Sequence, residues 1–91
     1  MITIGRRKEA VAKVQLKNGT GQIWVNGRVM THYFTRLCHQ VMIREPLELT
    51  QTAQKVDCVA RIVGGGISGQ AGALRHGVAR ALLALDESYR P

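Results

Sequence analysis

Residues 10–17 alternate, with Ala10, Ala12, Val14 and Leu16 at even positions and Lys13, Gln15 and Lys17 at odd ones. A period of two predicts a half-buried strand. Asn18-Gly19 follows at once, the pair that best tolerates the positive φ values of a type I′ turn, so residues 22–25 are expected to return beside that strand as a hairpin. A second Asn26-Gly27 turn leads through Arg28 to Thr31, which can cap a helix with Phe34, Leu37, Cys38 and Val41 at helical spacing. Pro46 is expected to stop this helix or restart another. Alternation resumes at residues 56–63: Cys58, Ala60 and Ile62 face one way, and Asp57, Val59, Arg61 and Val63 the other. The chain then runs through Gly64-Gly65-Gly66-Ile67-Ser68-Gly69-Gln70 into a helix with Ala71, Leu74, Val78, Ala81, Leu82 and Leu85 on one stripe. Asp86 and Glu87 follow that stripe.

The length of 91 residues allows a single domain, residues 1–91, with no internal repeat or linker. Its core is small and aliphatic, because Trp24, Tyr33, Phe34 and Tyr89 are the only aromatic residues. Cys38 and Cys58 match no metal or redox spacing, and both are expected to be reduced and buried. No signal-peptide pattern opens the chain, and no apolar run approaches the ~18 residues of a membrane span, so a soluble, reducing compartment without membrane contact is expected.

The glycine run leaves backbone N–H groups uncovered before a helix N-terminus, an arrangement that attracts phosphate. Gly64, Gly66 and Gly69 formally satisfy the dinucleotide fingerprint G-x-G-x-x-G. A Rossmann unit also needs a second parallel strand ending in an acid, and too few residues follow the helix to supply one. Gln70-Ala71 stand where a Walker loop needs Lys followed by Ser or Thr. His32, His39 and His76 lack partners at metal or nucleophile spacing, so no metal, cofactor or catalytic residue is expected. Ser68 does not fit a nucleophile elbow, and its hydroxyl is read as a cap for the helix that follows.

Charge gives a stronger indication. Thirteen Lys and Arg against six acids leave a net charge of +7, which points to a polyanionic partner. Arg6, Arg7 and Lys8 cluster at the start of the first strand, Lys13 and Lys17 extend positive charge along its outer face, and Arg61, Arg75, His76 and Arg80 add more. These groups lie on several elements and suit a nucleic acid backbone, with arginine offering a fork of donors to phosphate. With few aromatics available for stacking, recognition of folded RNA by shape fits better than single-strand binding. Gly72, Ala73, Gly77 and Ala84 form a smooth face around His76 and Arg80, which is expected to be approached closely by another surface.

Gly5-Arg6-Arg7-Lys8-Glu9-Ala10-Val11-Ala12, Val25-Asn26-Gly27-Arg28, Tyr33-Phe34, Pro46-Leu47, the stretch 64–77 and Ala79-Arg80-Ala81-Leu82 together resemble the family of small ribosomal subunit protein nine. Ser68-Gly69-Gln70 is similar to its bacterial and organellar branch. The resemblance implies an α+β fold, a two-layer sheet with helices on one face, similar to the second domain of ribosomal protein five, with a left-handed βαβ crossover. It implies no catalysis. It implies a structural role in the small-subunit head, supporting assembly and translation on small-subunit rRNA among neighbouring ribosomal proteins, in the cytoplasm or an organelle matrix. RNA contact carries over onto Arg6, Arg7, Lys8, Gly65, Gly66, Ser68, Gly69, Gln70, Arg75 and Arg80, to which the charge pattern adds Lys13 and His76.

Members of that family continue past the region of Tyr89-Arg90-Pro91 into a basic extension that reaches transfer RNA. The sequence in hand has no such segment, so a fragment of a longer protein is expected, or else a shortened member, and no transfer RNA contact is assigned to it. Two other readings stay open: a nucleotide-binding enzyme sharing the fold, and a non-ribosomal RNA chaperone.

Overall fold

A computed structural model describes residues 2–89. Five strands and three helices follow one another as β1 (Ile2–Arg7), β2 (Ala10–Asn18), β3 (Ile23–Val25), β4 (Arg28–Val29), α1 (Met30–Tyr33), α2 (Leu37–Leu49), β5 (Val56–Val63) and α3 (Ile67–Tyr89). The strands form one sheet in the order β1-β2-β5-β3-β4. All neighbours are antiparallel except β3 and β5, which run parallel and are therefore joined by a crossover through β4, α1 and α2. Helix α3 packs on β1, β2 and β5, and α2 packs on α3, giving the expected α+β arrangement with helices on one face.

The strand periodicity at 10–17 and 56–63 marks β2 and β5, and its even positions Ala10, Ala12, Val14, Cys58, Ala60 and Ile62 are buried. The stripe expected on α3 is buried from Ala71 to Leu82, with Leu85 partly buried. Phe34, Met30, Ile43, Leu74, Val14, Val25 and Val78 complete a largely aliphatic core.

Several expectations fail, each for a local reason. The first strand of the chain is β1, ahead of the strand at 10–17, so Arg6 and Arg7 end one strand and Lys8 sits in the turn to the next. That turn, Lys8-Glu9, adopts φ values of 49° and 70° without glycine or asparagine.

Asn18-Gly19 makes no hairpin. Asn18 pairs with Val56 of β5, and the chain crosses the end of β5, so that β5 lies between β2 and β3. Asp57 fixes this corner: its Oδ1 accepts the N–H groups of Thr20, Gly21 and Gln22 at 3.0, 3.1 and 2.9 Å. Residue 19 is glycine because a Cβ there would overlap the Asp57 carboxylate. The Asn-Gly hairpin is the second one, where Asn26 and Gly27 at φ 52° and 81° join β3 to β4.

The single helix expected after Thr31 is two helices, broken at residues 34–36, and Thr31 lies inside α1 without capping it. On α2 the buried positions are His39, Ile43, Pro46 and Leu47, whereas Leu37, Cys38 and Val41 are exposed. Pro46 sits inside α2, three residues before its end. Helix α3 continues through Asp86 and Glu87 to Tyr89, while Arg90 and Pro91 lie outside the described residues.

Of the two cysteines expected to be buried, only Cys58 is, and burial pushes its thiol pKa up to about 12. A thiol reagent at neutral pH is expected to modify Cys38 in the native protein and Cys58 only on unfolding, which mass spectrometry reads directly.

The Gln22 N–H, with those of Thr20 and Gly21, outweighs partial desolvation and holds the Asp57 carboxyl below its ordinary range. A lowered folded-state pKa stabilises the fold above the unfolded value of about 3.9, and this contribution disappears as pH falls through the folded value. Asp57→Asn is expected to melt below the wild type at neutral pH, with the two curves converging in acid. Parallel curves across that range would show that the carboxylate charge does not matter.

Candidate nucleic-acid interface

Strand β1 lies directly on α3. A Cβ on Gly5 would strike the Ala73 carbonyl and the Gly77 backbone, and a Cβ on Gly77 would come within 2.7 Å of Val14 Cγ2 and 3.3 Å of the Gly5 nitrogen. The smooth helix face is thus occupied in part by the protein's own edge strand, and Gly77 is not open to RNA. Gly72 is covered by Arg7, since a Cβ there would fall 2.5 Å from Arg7 Cδ and 3.1 Å from Nε. The glycine lets the arginine stem lie flat across the helix.

The seam brings charge together. Arg6, Arg7 and Lys8 from the end of β1 and its turn, Ser68, Arg75 and His76 from α3, and Cys38, His39 and Met42 from α2 line one trough of about 770 Å³. No carboxylate lines it. Five of the basic residues read as scattered over several elements, Arg6, Arg7, Lys8, Arg75 and His76, therefore converge here, and with Ser68 they make six of the positions expected to meet RNA. The trough is far larger than one phosphate and is suited to a run of nucleic acid backbone.

Along the same seam, Arg80 follows His76 by one helical turn and lines a shallower depression with Arg6, Ile2, Thr3, Ile4 and Ala84. Its Nη1 donates to the Ile4 carbonyl at 3.0 Å, and the Arg6 N–H points at His76 Nδ1 over a long 3.5 Å. These contacts cover the free edge of β1. Arg75 Nη2 meets Glu45 Oε1 at 2.6 Å in a half-exposed ion pair, leaving its other donors for a ligand.

The glycine loop takes a different part from the one its sequence suggests. Gly64 and Gly65, at φ 80° and 64°, pack under the Lys8-Glu9 turn: a Cβ on Gly64 would meet the Glu9 carbonyl at 2.5 Å, and one on Gly65 would meet the Lys8 carbonyl at 2.8 Å. Gly69 is buried beneath Arg7 and Lys8. Gln70 is held at both ends, its Nε2 donating to the Gly64 carbonyl at 3.1 Å and its Oε1 accepting from Tyr33 Oη at 2.6 Å. Of the four glycines of this loop, only Gly66 has open space where a side chain would be.

Gln70 N–H makes the first intrahelical bond, to Gly66 at 2.9 Å, so the N–H groups before it keep the positive end of α3 available near Ser68. Ser68 does not cap the helix as expected. Its Oγ lies 3.3 Å from His39 Nε2, and His39 is buried edge-on against Phe34.

Lys13 stands apart. It pairs across the sheet with Ile4 and Arg61, on the face turned away from the helices. Conversely, the α2 wall of the trough was missed, because Cys38, His39 and Met42 carry no charge or spacing signal for RNA. Among the described residues no group of three or more His, Cys, Asp and Glu could hold a metal ion, and no helix is long and apolar enough to cross a membrane.

Residues 5–91 match the family described as ribosomal protein S9/S16. The chain is 52% identical over 90 residues to the small ribosomal subunit protein uS9 of Anaeromyxobacter sp. strain K, covering 99% of this chain and 69% of the relative. The uS9 protein of Anaeromyxobacter dehalogenans gives the same identity and coverage.

The two helix glycines should separate by substitution. Gly77→Ala overpacks the buried, stiff Val14 side chain and crowds the Gly5 backbone, and is expected to cost about 1–3 kcal/mol in thermal or denaturant unfolding. Gly72→Ala meets only a flexible side chain, so Arg7 swings aside and the helix gains up to about 1 kcal/mol of propensity. Equal destabilisation by both would contradict the distinction.

Proposed function

The chain belongs to the ribosomal protein S9/S16 family, and on that footing we propose that it binds small-subunit rRNA through the trough between β1, α2 and α3. The family is one of structural ribosomal proteins and not of enzymes. In this reading the chain is a structural constituent of the small-subunit head, where it holds rRNA, meets neighbouring ribosomal proteins and supports assembly and translation.

The observation that carries the proposal is the convergence of Arg6, Arg7, Lys8, Arg75 and His76 on a trough without a carboxylate. Arg7 is the central ligand, preorganised against Gly72 so that little of its rotamer freedom remains to be lost on binding. Arg6 and Arg80 continue the positive line along the seam. Ser68, Gly66 and the first N–H groups of α3 present uncharged donors at its other end, while Gly65, Gly69 and Gln70 act by shaping the loop and its hairpin. Lys13 lies off this path and contributes long-range attraction only.

Titration of a small-subunit rRNA three-prime-domain fragment at several salt concentrations tests the reading. Wild-type binding is expected to weaken steeply with salt. Arg7→Ala is expected to lower affinity and to reduce the log-log salt slope by about 1, the signature of one lost phosphate contact. Gly72→Ala should lower affinity while leaving the fold intact. Unchanged slopes for Arg6→Ala, Arg7→Ala and Lys8→Ala alike would remove the trough as the interface. Saturable micromolar binding of ATP or NAD without RNA would favour the nucleotide-binding alternative.

A further inference from the structure

The helices cover one face of the sheet and leave the other open. Strand register puts Ile2, Gln15, Val59, Trp24 and Val29 in one row across all five strands of that open face. Ile2 is 62% exposed, Val29 41% and Val59 39%, and Trp24 is half-buried at the same row. Two positions along β5 from Val59, the side chain of Arg61 lies beside Lys13, and two further on Val63, 62% exposed, lies beside Val11. On the other side of the apolar row stands Lys17, paired with Asp57. Aliphatic and cationic rows therefore alternate over a face about 20 Å across at the usual strand spacing.

We infer that this open face docks a segment of another small-subunit protein that presents aliphatic side chains flanked by carboxylates. Burying the β-branched side chains of Val29, Val59 and Val63 gains free energy only against an apolar partner, which the sugar-phosphate surface of RNA does not offer. One half-buried tryptophan makes no stacking platform for bases. Lys13, Lys17 and Arg61 call for negative charge beside the apolar rows. Asp57, the carboxylate in the same rows, already accepts three backbone N–H groups, so it does not neutralise them fully. Of the trough cations, Arg7, Arg75 and His76 sit on the helix side of β1 and Lys8 at its turn, and only Arg6, paired with Val11, ends a row of the open face, so rRNA in the trough and a protein over the central strands are compatible.

The setting in the small subunit rests on the proposed function, whereas the choice of protein over RNA rests on the open face itself. The test places a photoreactive benzoylphenylalanine at position 59 or 63 of the full chain, expressed in cells, and irradiates the isolated small subunits. The expected product is an adduct with another small-subunit protein that survives ribonuclease and is lost to protease. Adding Arg61→Glu is expected to reduce its yield about fivefold or more.

Separately, Val59→Thr with Val63→Thr should leave the affinity of the isolated chain for the rRNA fragment within about twofold of wild type, because neither residue lies in the trough and the net charge is unchanged. A ribonuclease-sensitive adduct, an adduct only within the chain, or no protein adduct at either position overturns the inference. So does a loss of rRNA affinity as large as that of Arg7→Ala. The rRNA titration of the unmodified chain reports on the trough alone, so failure of that reading is recognised independently.

Discussion

The backbone contact between Gly5 and the Ala73–Gly77 turn of α3 is the constraint on which the rest of the structure depends. With any side chain at residue 5 the edge strand would stand off by the width of a methyl group, and three consequences would be lost together. Arg7 would not reach across Gly72, Arg80 would not reach the Ile4 carbonyl, and His76 would leave the Arg6 N–H unguarded. Core packing and charge placement are thus set by one close approach. Interiors are packed too densely for such a shift to be absorbed elsewhere.

The glycine loop serves the same geometry from the other end of β1. Lys8 and Glu9 occupy left-handed conformations that cost about 1 kcal/mol or more each for residues with a Cβ. They persist because Gly64 and Gly65, themselves left-handed, leave room for the turn to seat against them, and because Gln70 ties the loop to Tyr33. A glycine cluster before a helix is therefore compatible with two physical roles, uncovering N–H groups for a ligand or uncovering space for the chain. Here Gly64, Gly65 and Gly69 serve the second role, and Gly66 with the helix N-terminus remains for the first.

This division explains what could be read from the sequence alone. Strong periodicity marked β2, β5 and the buried stripe of α3, because one face of each is solvated and the pattern records it. The edge strand β1 was hidden because its turn lacks the usual residues and is held by a loop more than fifty positions away. Asn18-Gly19 misled because local turn preference was overridden by the tertiary bond from Asp57. On α2 the buried side fell on His39, Ile43, Pro46 and Leu47 instead of Leu37, Cys38 and Val41, since which side of a short helix meets the core depends on the layer it joins. The basic residues of the trough were legible as types, but their convergence required the β1–α3 seam, which no spacing in the sequence encodes.

The same seam bears on whether Arg75, His76 and Arg80 can serve both fold and ligand. A guanidinium carries five N–H donors in a planar fork, and Ile4 or Glu45 engages one of them in each arginine. Such an anchor fixes the direction of the remaining donors and removes rotamer freedom before a ligand arrives. An arginine held by its own protein is in this sense a better phosphate ligand than one waving in solvent, provided the anchor is exposed enough to be shared. The half-exposed Arg75–Glu45 pair meets that condition. Its carboxylate also adds negative charge at the rim, so the positive field is strongest where no acid intervenes, along Arg7, Lys8 and the start of α3. That end of the trough is where a phosphate would be held most firmly.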